Sequence, residues 1–381
     1  MALRANISES AVAAGRAERG HQHELHGIEI LRFLCAVSIL IFHYRHLVFR
    51  GVLDPATAAA IHPHLPFYSP LQLIYTHGAS AVEVFWAISG FIFYWRYADW
   101  IQAGDIGLWK FAVNRFSRLY PLHLVTLIAV AVLQFFYLRS HGSYFIYGDN
   151  SPRAFLEHLF FASNWLANEP YSFNGPVWSV SVEVLVYMGF FFIALRAGGR
   201  PIPALVACVG AFAVPFVLRT PLSDFVWECL SFFFAGGLAY WLWRKGWAVR
   251  AFMTTAAILV SAAARHVHLG TLGLLLSAMG LVLAFACIGK AAVVRRLSFL
   301  GDLTYSSYLV HFPIQLILVQ IVDMAGWGRT IFLSPLTFVL YLLFIAMVSL
   351  VLYRGFERPA QNWLRRILLA KRPARAATET A

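Results

Sequence analysis

Ten apolar runs that could each form a helix across a lipid bilayer follow one another along this 381-residue chain, and the run at 251–265 is only just long enough. Hydrophobic residues make up 60% of the chain and charged residues 13%, against roughly 25% charged residues in soluble domains. We therefore predict an all-α integral membrane protein, a bundle of about ten transmembrane helices with no soluble domain. The predicted spans are 28–49, 77–97, 119–138, 177–196, 202–219, 225–243, 251–265, 268–288, 299–322 and 332–353.

The lysines and arginines predict the orientation of this bundle. With the N-terminus in the cytoplasm, 22 of the 30 Lys and Arg residues fall in cytoplasmic segments, 7 fall outside, and Arg32 lies within a span. Because an excess of Lys and Arg marks cytoplasmic loops, we expect both termini in the cytoplasm. The same asymmetry explains the net charge of +12, so a nucleic-acid partner is not expected.

The chain divides into three predicted segments. We expect a cytoplasmic tail at 1–27 without a cleavable signal peptide, a transmembrane domain at 28–353, and a basic cytoplasmic tail at 354–381 with a disordered end. The outer segment 139–176 is rich in aromatic and turn residues, which fits a cap or a substrate-binding loop, and a short surface helix is expected at 155–161. The four cysteines all lie in apolar spans and indicate packing rather than disulfides.

One span carries two ionisable side chains on nearly the same helix face. Arg32 and His43 are eleven residues apart. On an α-helix this spacing leaves them about 20° apart around the axis and roughly 16 Å apart along it. An ionisable residue within a membrane is costly and is functional by default. The span thus points a cation to one side and an imidazole to the other, which suits chemistry conducted across a membrane.

Three ionisable side chains from three spans are predicted to lie at one depth. His43, Glu83 and Glu183 each lie roughly 8–9 Å below the outer ends of their spans. The functional interpretation is a buried histidine–carboxylate group, in which a glutamate orients the imidazole and raises its basicity. The structural alternative is a buried hydrogen-bond network. No metal is expected, because no pair of these residues has the i, i+3 or i, i+4 spacing of metal ligands.

The loop between the second and third spans carries Arg115 and Arg118 on one helical face, just before Pro121. Two guanidinium groups so placed could clamp the phosphates of a cytoplasmic cofactor. The alternative is that they only anchor the loop on the cytoplasmic side.

His311 lies in the middle of a span, where it either faces the same cavity as His43 or is a packing histidine. Trp178 and Ser181 open one span and Tyr305 lies early in another. Hydroxyl-bearing residues at such positions often tie membrane helices together.

Six motifs, taken in order, resemble the membrane acyltransferase-3 family, the bacterial inner-membrane enzymes that O-acylate surface glycans. The most specific is the Arg-x10-His spacing of Arg32 and His43, and the resemblance covers about residues 25–365. Two departures are mild, since Trp86 stands where the family usually has Phe, and Glu83 where Asp is common. The other five motifs are Val82-Glu83-Val84-Phe85-Trp86 with Ser89-Gly90-Phe91, Arg115-x-x-Arg118-Leu119-Tyr120-Pro121, Val177-Trp178-Ser179 with Glu183, Gly301 with Tyr305-Ser306, Tyr308-Leu309 and His311, and Glu357-Arg358-Pro359.

The resemblance implies an O-acyltransferase whose donor is an acyl-CoA, most often acetyl-CoA, held at the cytoplasmic face of a bacterial inner membrane. Its acceptor would be a hydroxyl of an exopolysaccharide, lipopolysaccharide, signalling oligosaccharide or lipid-linked glycan, with other envelope glycan biosynthesis proteins as partners. His43 would act as general base or transient acyl carrier, oriented by Glu183 or Glu83. The remaining assignments are Arg32, Arg115 and Arg118 for donor binding, and Trp178, Ser181, Tyr305 and His311 for substrate binding.

The rival class is a transporter or flippase of a glycan or lipid, which would use the same buried charges as a substrate path. The sequence shows no convincing internal repeat, whereas many secondary transporters are built from two related halves. A third class, a non-catalytic assembly or export component, fits the composition but leaves the aligned ionisable residues unexplained.

Overall fold

The computed structural model describes residues 25–49, 54–265, 269–288 and 291–370, and these ranges form helices and loops with no sheet. Eight helical stretches are long and apolar enough to cross a membrane, and two shorter apolar helices accompany them. The predicted all-α bundle of about ten membrane helices is therefore confirmed. The polar N-terminal tail before residue 25, the turn at 266–268 and the end of the C-terminal tail lie outside the described residues.

The helices are α1 (His26–His43), α2 (Pro55–Ile61), α3 (Tyr68–His77), α4 (Ala81–Phe93), α5 (Asp99–Gln102), α6 (Leu108–His141), α7 (Pro152–Leu159), α8 (Trp178–Ala197), α9 (Pro201–Val217), α10 (Asp224–Arg244), α11 (Ala248–Ala264), α12 (Gly270–Ile288), α13 (Ala292–Leu297), α14 (Thr304–Met324), α15 (Pro335–Leu352) and α16 (Arg358–Ala370).

Local sequence sets several of these boundaries. Pro152, Pro201 and Pro335 stand at the first helical positions of α7, α9 and α15, where a missing N–H breaks no intrahelical hydrogen bond. Gly142 has φ of 72° and ends α6 in the left-handed region that glycine adopts without strain. A short helix is expected at 155–161, and α7 forms in this region but begins and ends earlier, at Pro152 and Leu159.

Two glycines let α4 and α10 approach with their backbones in contact. A Cβ atom on Gly90 would overlap the backbone carbonyl of Phe233, and a Cβ atom on Gly236 would overlap that of Ala87. Small residues permit such close approach between membrane helices. The contact fixes the position of α4, which supplies one wall of the cavity that forms the candidate active site.

Two helices continue through π-helical turns, Tyr94–Ala98 after α4 and Tyr353–Glu357 after α15. Such turns are rare and frequently occur at functional sites. The second turn leads into α16, which packs along α6, and Trp109 Nε1 donates to the carbonyl of Leu368 at 3.1 Å. The sequence analysis predicts only a basic tail from residue 354, so the structure adds an ordered helix there.

Candidate active site

A cavity of about 410 Å³ lies between α1, α4, α6, α8, α14 and α16. Five arginines and three acidic residues belong to its wall, which therefore carries two more positive than negative charges. The arginines are Arg32, Arg96, Arg115, Arg118 and Arg365, and the acidic residues are Glu29, Glu183 and Asp302. We name this space the arginine cavity. It brings together Arg32, Arg115 and Arg118, the three residues that the sequence assigns to one donor site.

Arg115 is held against aromatic rings on α4 and the π turn that follows it. Its guanidinium carbon lies 4.9 Å from the ring centre of Phe93 and 5.0 Å from that of Tyr97, and its Nη2 donates to the Tyr97 hydroxyl. Within the described chain, its buried Nε has no hydrogen-bond partner. A guanidinium fixed in this way keeps donors available for a ligand.

Arg118 forms an ion pair with a buried carboxylate. Its Nη1 lies 3.1 Å from Oε1 of Glu357, whose side chain is only 2% exposed. The second carboxylate oxygen of Glu357 accepts a hydrogen bond from the hydroxyl of Ser306. The pair ties α6 to the π turn after α15 and to α14, and the sequence analysis, which notes Glu357 only as part of a motif, does not predict it.

Arg32 is positioned by two partners. Its Nη1 donates to Oε2 of Glu29 at 2.8 Å, and its Nη2 donates to Oγ1 of Thr304 at 3.0 Å. A Cβ atom on Gly301 would overlap the Glu29 carboxylate, so glycine is required there for this approach.

Two further arginines of the cavity were missed in the sequence. Arg96 lies on the π turn after α4, which has no sequence signature here, and Arg365 lies on α16. The amphipathic pattern of residues 358–370 indicates a helix and could have drawn attention to Arg365. The sequence analysis treats these residues only as part of a basic tail.

Glu183 lines the arginine cavity from α8. Its carboxylate lies beside the hydroxyls of Ser89 and Tyr187, with the guanidinium groups of Arg115 and Arg32 in electrostatic range. The structure therefore places Glu183 with the cations.

Tyr308 and Ser179 also line the arginine cavity. Their hydroxyl oxygens lie 2.7 Å apart, and the Tyr308 hydroxyl also donates to the carbonyl of Pro176 at 2.6 Å. The Tyr308 ring lies 5.9 Å from the ring of His311, measured between centroids. One side of this tyrosine thus faces the arginine cavity, and a histidine lies next to it.

His43 and His311 form a direct pair. Nδ1 of His43 lies 2.9 Å from Nε2 of His311, and the two ring planes are within 6° of parallel. His46 stacks on His43 with ring centroids 4.9 Å apart. His311 therefore contacts His43 directly, and neither ring lines the arginine cavity.

The two glutamates expected near His43 lie elsewhere, because α4 and α8 turn them towards other neighbours. Among the described residues, no carboxylate hydrogen-bonds to His43, and its imidazole is paired with His311 instead. Glu83 lies near Glu228, and its buried Oε2 has no hydrogen-bond partner in the described part of the chain. The expected pairing of His43 with a carboxylate is therefore not observed, and His43 pairs with another histidine, His311.

Of the residues assigned to substrate binding, some line the arginine cavity and others are packed elsewhere. Tyr305 lines the arginine cavity and donates its hydroxyl to the carbonyl of Leu119. Trp178 lies outside the lining and packs on Trp86 and Phe225, with centroid distances of 5.6 and 4.3 Å. Ser181 is fully buried and also lies outside the lining. The described ranges contain no group of three or more His, Cys, Asp or Glu side chains placed to hold a metal ion.

Comparisons with known proteins match this chain to acyltransferases. A family model described as "Acyltransferase domain" matches residues 25–354. The acyltransferase MdmB of Streptomyces mycarofaciens is 30% identical over 151 residues, which are 38% of this chain and 37% of that protein. The alignment thus spans little more than a third of the relative's length. No solved structure gives a significant match.

Proposed function

This chain belongs to the acyltransferase-3 family of membrane acyltransferases, and we propose that it transfers an acyl group from acyl-CoA to a hydroxyl of a cell-surface or exported glycan. The observation that carries the proposal is the arginine cavity, which reaches Tyr308, the neighbour of the His43–His311 pair. The proposed donor site is thus adjacent, through this tyrosine, to the histidine pair that contains the proposed base.

The chemistry of the cavity wall supports acyl-CoA as the donor. CoA carries a diphosphate and a 3′-phosphate, and guanidinium groups bind phosphate oxygens through paired, charge-assisted hydrogen bonds. Arg115 and Arg118 stand about one helical turn apart on α6, and three more arginines approach from α1, the π turn after α4, and α16. The excess of positive charge fits a polyanion.

His43 is the proposed general base. Its Nε2 takes the proton of the acceptor hydroxyl while the hydroxyl oxygen attacks the thioester carbonyl carbon. The carbon–sulfur bond then breaks, the acyl group remains on the acceptor as an ester, and CoA leaves as a thiolate that takes up a proton. Arg32 would stabilise the carbonyl oxygen as it gains charge, or hold a phosphate of the donor. A transient acyl group on His43 is the alternative.

The His43–His311 hydrogen bond supports a base at Nε2 of His43. The side chain of His311 lies beside the backbone oxygens of Ser307 and Tyr308, which can only accept hydrogen bonds. Nε2 of His311 faces Nδ1 of His43. In the proposed tautomers, Nδ1 of His311 carries the proton and its Nε2 accepts. Nδ1 of His43 then donates, and Nε2 of His43 keeps its lone pair. His311 takes the orienting role that the sequence assigned to a glutamate.

We further propose a bacterial inner membrane with both termini in the cytoplasm, so that the arginine cavity opens on the side where acyl-CoA is present. The asymmetry of Lys and Arg supports this orientation. Reporter fusions at Arg200 and Lys245 should read cytoplasmic, and a fusion at Asp149 should read external. An external signal at Lys245 would contradict the orientation. Other proteins of envelope glycan biosynthesis are the proposed partners.

The decisive experiment incubates the purified protein in liposomes with acetyl-CoA labelled in its acetyl group and with extracted envelope glycans. Label that becomes covalently attached to glycan, and only in the presence of protein and donor, supports the acyltransferase. Movement of unmodified glycan across the bilayer without consumption of donor would support the transporter alternative and contradict the proposal.

A further inference from the structure

A second cavity, of about 460 Å³, lies at the opposite end of the bundle from the arginine cavity. It is formed where α6 ends and where α14 leads into the turn at 325–329. Tyr137 in its wall is about 33 Å along α6 from Arg115. The side chains that line it are Tyr137, His141, Ser143, Asp323, Trp327 and Arg329.

A charged network is built into the floor of this cavity. Arg329 is 4% exposed, and its Nε donates to Oδ1 of Asp323 at 3.1 Å while its Nη2 donates to Oδ2. The same Nη2 lies 2.8 Å from the Tyr137 hydroxyl, and Nε2 of His141 lies 2.9 Å from Oδ2 of Asp323. The carboxylate of Asp323 is thereby fully engaged. Within the described chain, the buried Nη1 of Arg329 has no partner.

A buried guanidinium nitrogen without a partner is costly, so an acceptor atom that reaches Nη1 from the cavity would be stabilised. Because the neighbouring Asp323 balances the charge of Arg329, the cavity does not require an anion. It favours a neutral ligand rich in hydroxyl oxygens.

Trp327 supplies an apolar surface at the rim of this cavity. Its side chain is 59% exposed, and its backbone N–H donates to the carbonyl of Val322 at 3.0 Å, which fixes the turn that presents it. Gly326 has φ of 69° and permits that turn. An indole face beside a fixed hydrogen-bond donor matches a pyranose ring, which has one apolar C–H face and hydroxyls around its edge.

This cavity is connected to the histidine pair through packed aromatic rings. Phe145 lies 5.4 Å from Tyr137 and 5.6 Å from Phe312, and Phe312 lies 6.3 Å from His46, measured between ring centroids. His46 stacks on His43. The cavity and His43 therefore lie towards the same end of the bundle, joined by a continuous series of packed rings.

We propose that this cavity is a subsite for a neutral pyranose unit of the acceptor, with Trp327 stacked on the sugar face and Nη1 of Arg329 donating to a sugar hydroxyl. The proposal rests on the proposed function, because it treats the acceptor as a glycan. The bound unit is distant from the arginine cavity, so it selects and aligns the acceptor without touching the donor.

Direct binding tests the subsite independently of activity. The full chain in lipid nanodiscs is mixed with methyl glucopyranoside, methyl galactopyranoside and methyl N-acetylglucosaminide, and saturation-transfer difference NMR reports binding. We expect a signal with at least one of these probes, its loss in Trp327→Ala, and its retention in Trp327→Phe, which keeps a flat ring. Trp247→Ala is the matched control, since Trp247 is 49% exposed and lines neither cavity. It should keep the signal.

Kinetics give the second measurement. For a glycan acceptor, Trp327→Ala should raise KM about 5- to 10-fold, the equivalent of one lost aromatic contact, with kcat and the donor KM unchanged. Absence of NMR signal for every probe, or an equal signal from Trp327→Ala, would overturn the subsite even where acyl transfer is observed. A signal that depends on Trp327 in a protein that transfers no acyl group would uphold the subsite and refute the proposed function.

Discussion

The imidazole of His43, at the end of α1, shares a hydrogen bond of 2.9 Å with the imidazole of His311 in the middle of α14. Two neutral imidazoles can form this bond only when one donates and the other accepts, so each ring fixes the tautomer of its partner. Gln315, one helical turn after His311, donates to the backbone oxygen of His43 at 3.0 Å and holds the end of α1 in register. The relative position of the two imidazoles is therefore fixed by contacts between α1 and α14.

Replacement of His43 should abolish acyl transfer without unfolding the protein. In His43→Gln the amide keeps hydrogen-bonding capacity but cannot accept a proton, so we expect turnover at saturating donor to fall about 10²- to 10⁴-fold. His43→Ala should behave in the same way. The exposed His64→Gln is the control and should keep full activity. Retained transfer in a well-folded His43→Gln protein would remove His43 from the mechanism and shift attention to His311.

Replacement of His311 should show a positioning effect. His311→Gln offers an oxygen that can accept from Nδ1 of His43, whereas His311→Leu leaves that donor buried without a partner. We expect His311→Leu to lower kcat about 10- to 100-fold with little change in either KM, and His311→Gln to restore most of the loss. The acidic limb of the pH–rate profile should shift in His311→Leu only. Equal profiles and equal kcat in the two variants would show that the pair has no role in turnover.

The Arg118–Glu357 pair should combine a structural and a donor-binding role. Arg118→Ala leaves the carboxylate of Glu357, 2% exposed, without its cation, and the loss of one partner from a buried pair costs about 3–5 kcal/mol. Arg118→Ala should therefore lower Tm, and adding Glu357→Gln should restore it. Donor KM should stay raised in the double variant, because only the cation can bind phosphate. Recovery of donor KM together with Tm would assign Arg118 to structure alone.

The features that the sequence predicts well are those that depend on one segment of the chain at a time. Each apolar run fixes its own helix, and the charges of the loops suggest its direction, so the bundle and Arg32, Arg115 and Arg118 could be found from the chain alone. The pairing of His43 with His311 could not, because it depends on the rotation and approach of two helices 268 residues apart. Residue spacing along a span predicts the depth of Glu83 and Glu183, but it does not determine the direction in which their side chains point.

The contact between α4 and α10 should be sensitive to a single methyl group. Gly90→Ala would drive a Cβ into the backbone carbonyl of Phe233, which cannot move as a side chain can, so the helices must separate. We expect a lower yield of folded protein and a Tm lowered by several degrees, with an apparent cost of about 1–3 kcal/mol for overpacking. Gly210→Ala on α9, where a Cβ meets no atom within 4 Å, is the control and should keep the wild-type Tm. Equal Tm values for the two variants would contradict the close contact.

Acidification should loosen the segment 139–176 through His158. This side chain is 1% exposed, hydrogen-bonds to the Ser172 hydroxyl at 3.0 Å, and lies on α7, outside the membrane spans. Burial, with the nearby His123, lowers the pKa of His158 from its usual value of 6.5 to about 3. Between these two values the unfolded chain binds a proton that the folded chain does not. The contribution of His158 to the free energy of unfolding therefore has its full value above pH 6.5. It falls as the pH drops towards 3, by about 1.4 kcal/mol per pH unit.

His158→Asn removes the titrating group and keeps a donor for Ser172. We expect the loss of stability between pH 7 and pH 5 to shrink by about 2 kcal/mol in this variant, because only the interval below pH 6.5 contributes. The measurements are denaturant unfolding followed by tryptophan fluorescence, and the rate of proteolytic cleavage within residues 139–176. His64→Asn, at an exposed histidine, should leave the pH dependence unchanged. If His158→Asn becomes less stable at pH 7 and loses the same further stability at pH 5 as the unmodified protein, then His158 only packs the segment and does not set its response to acid.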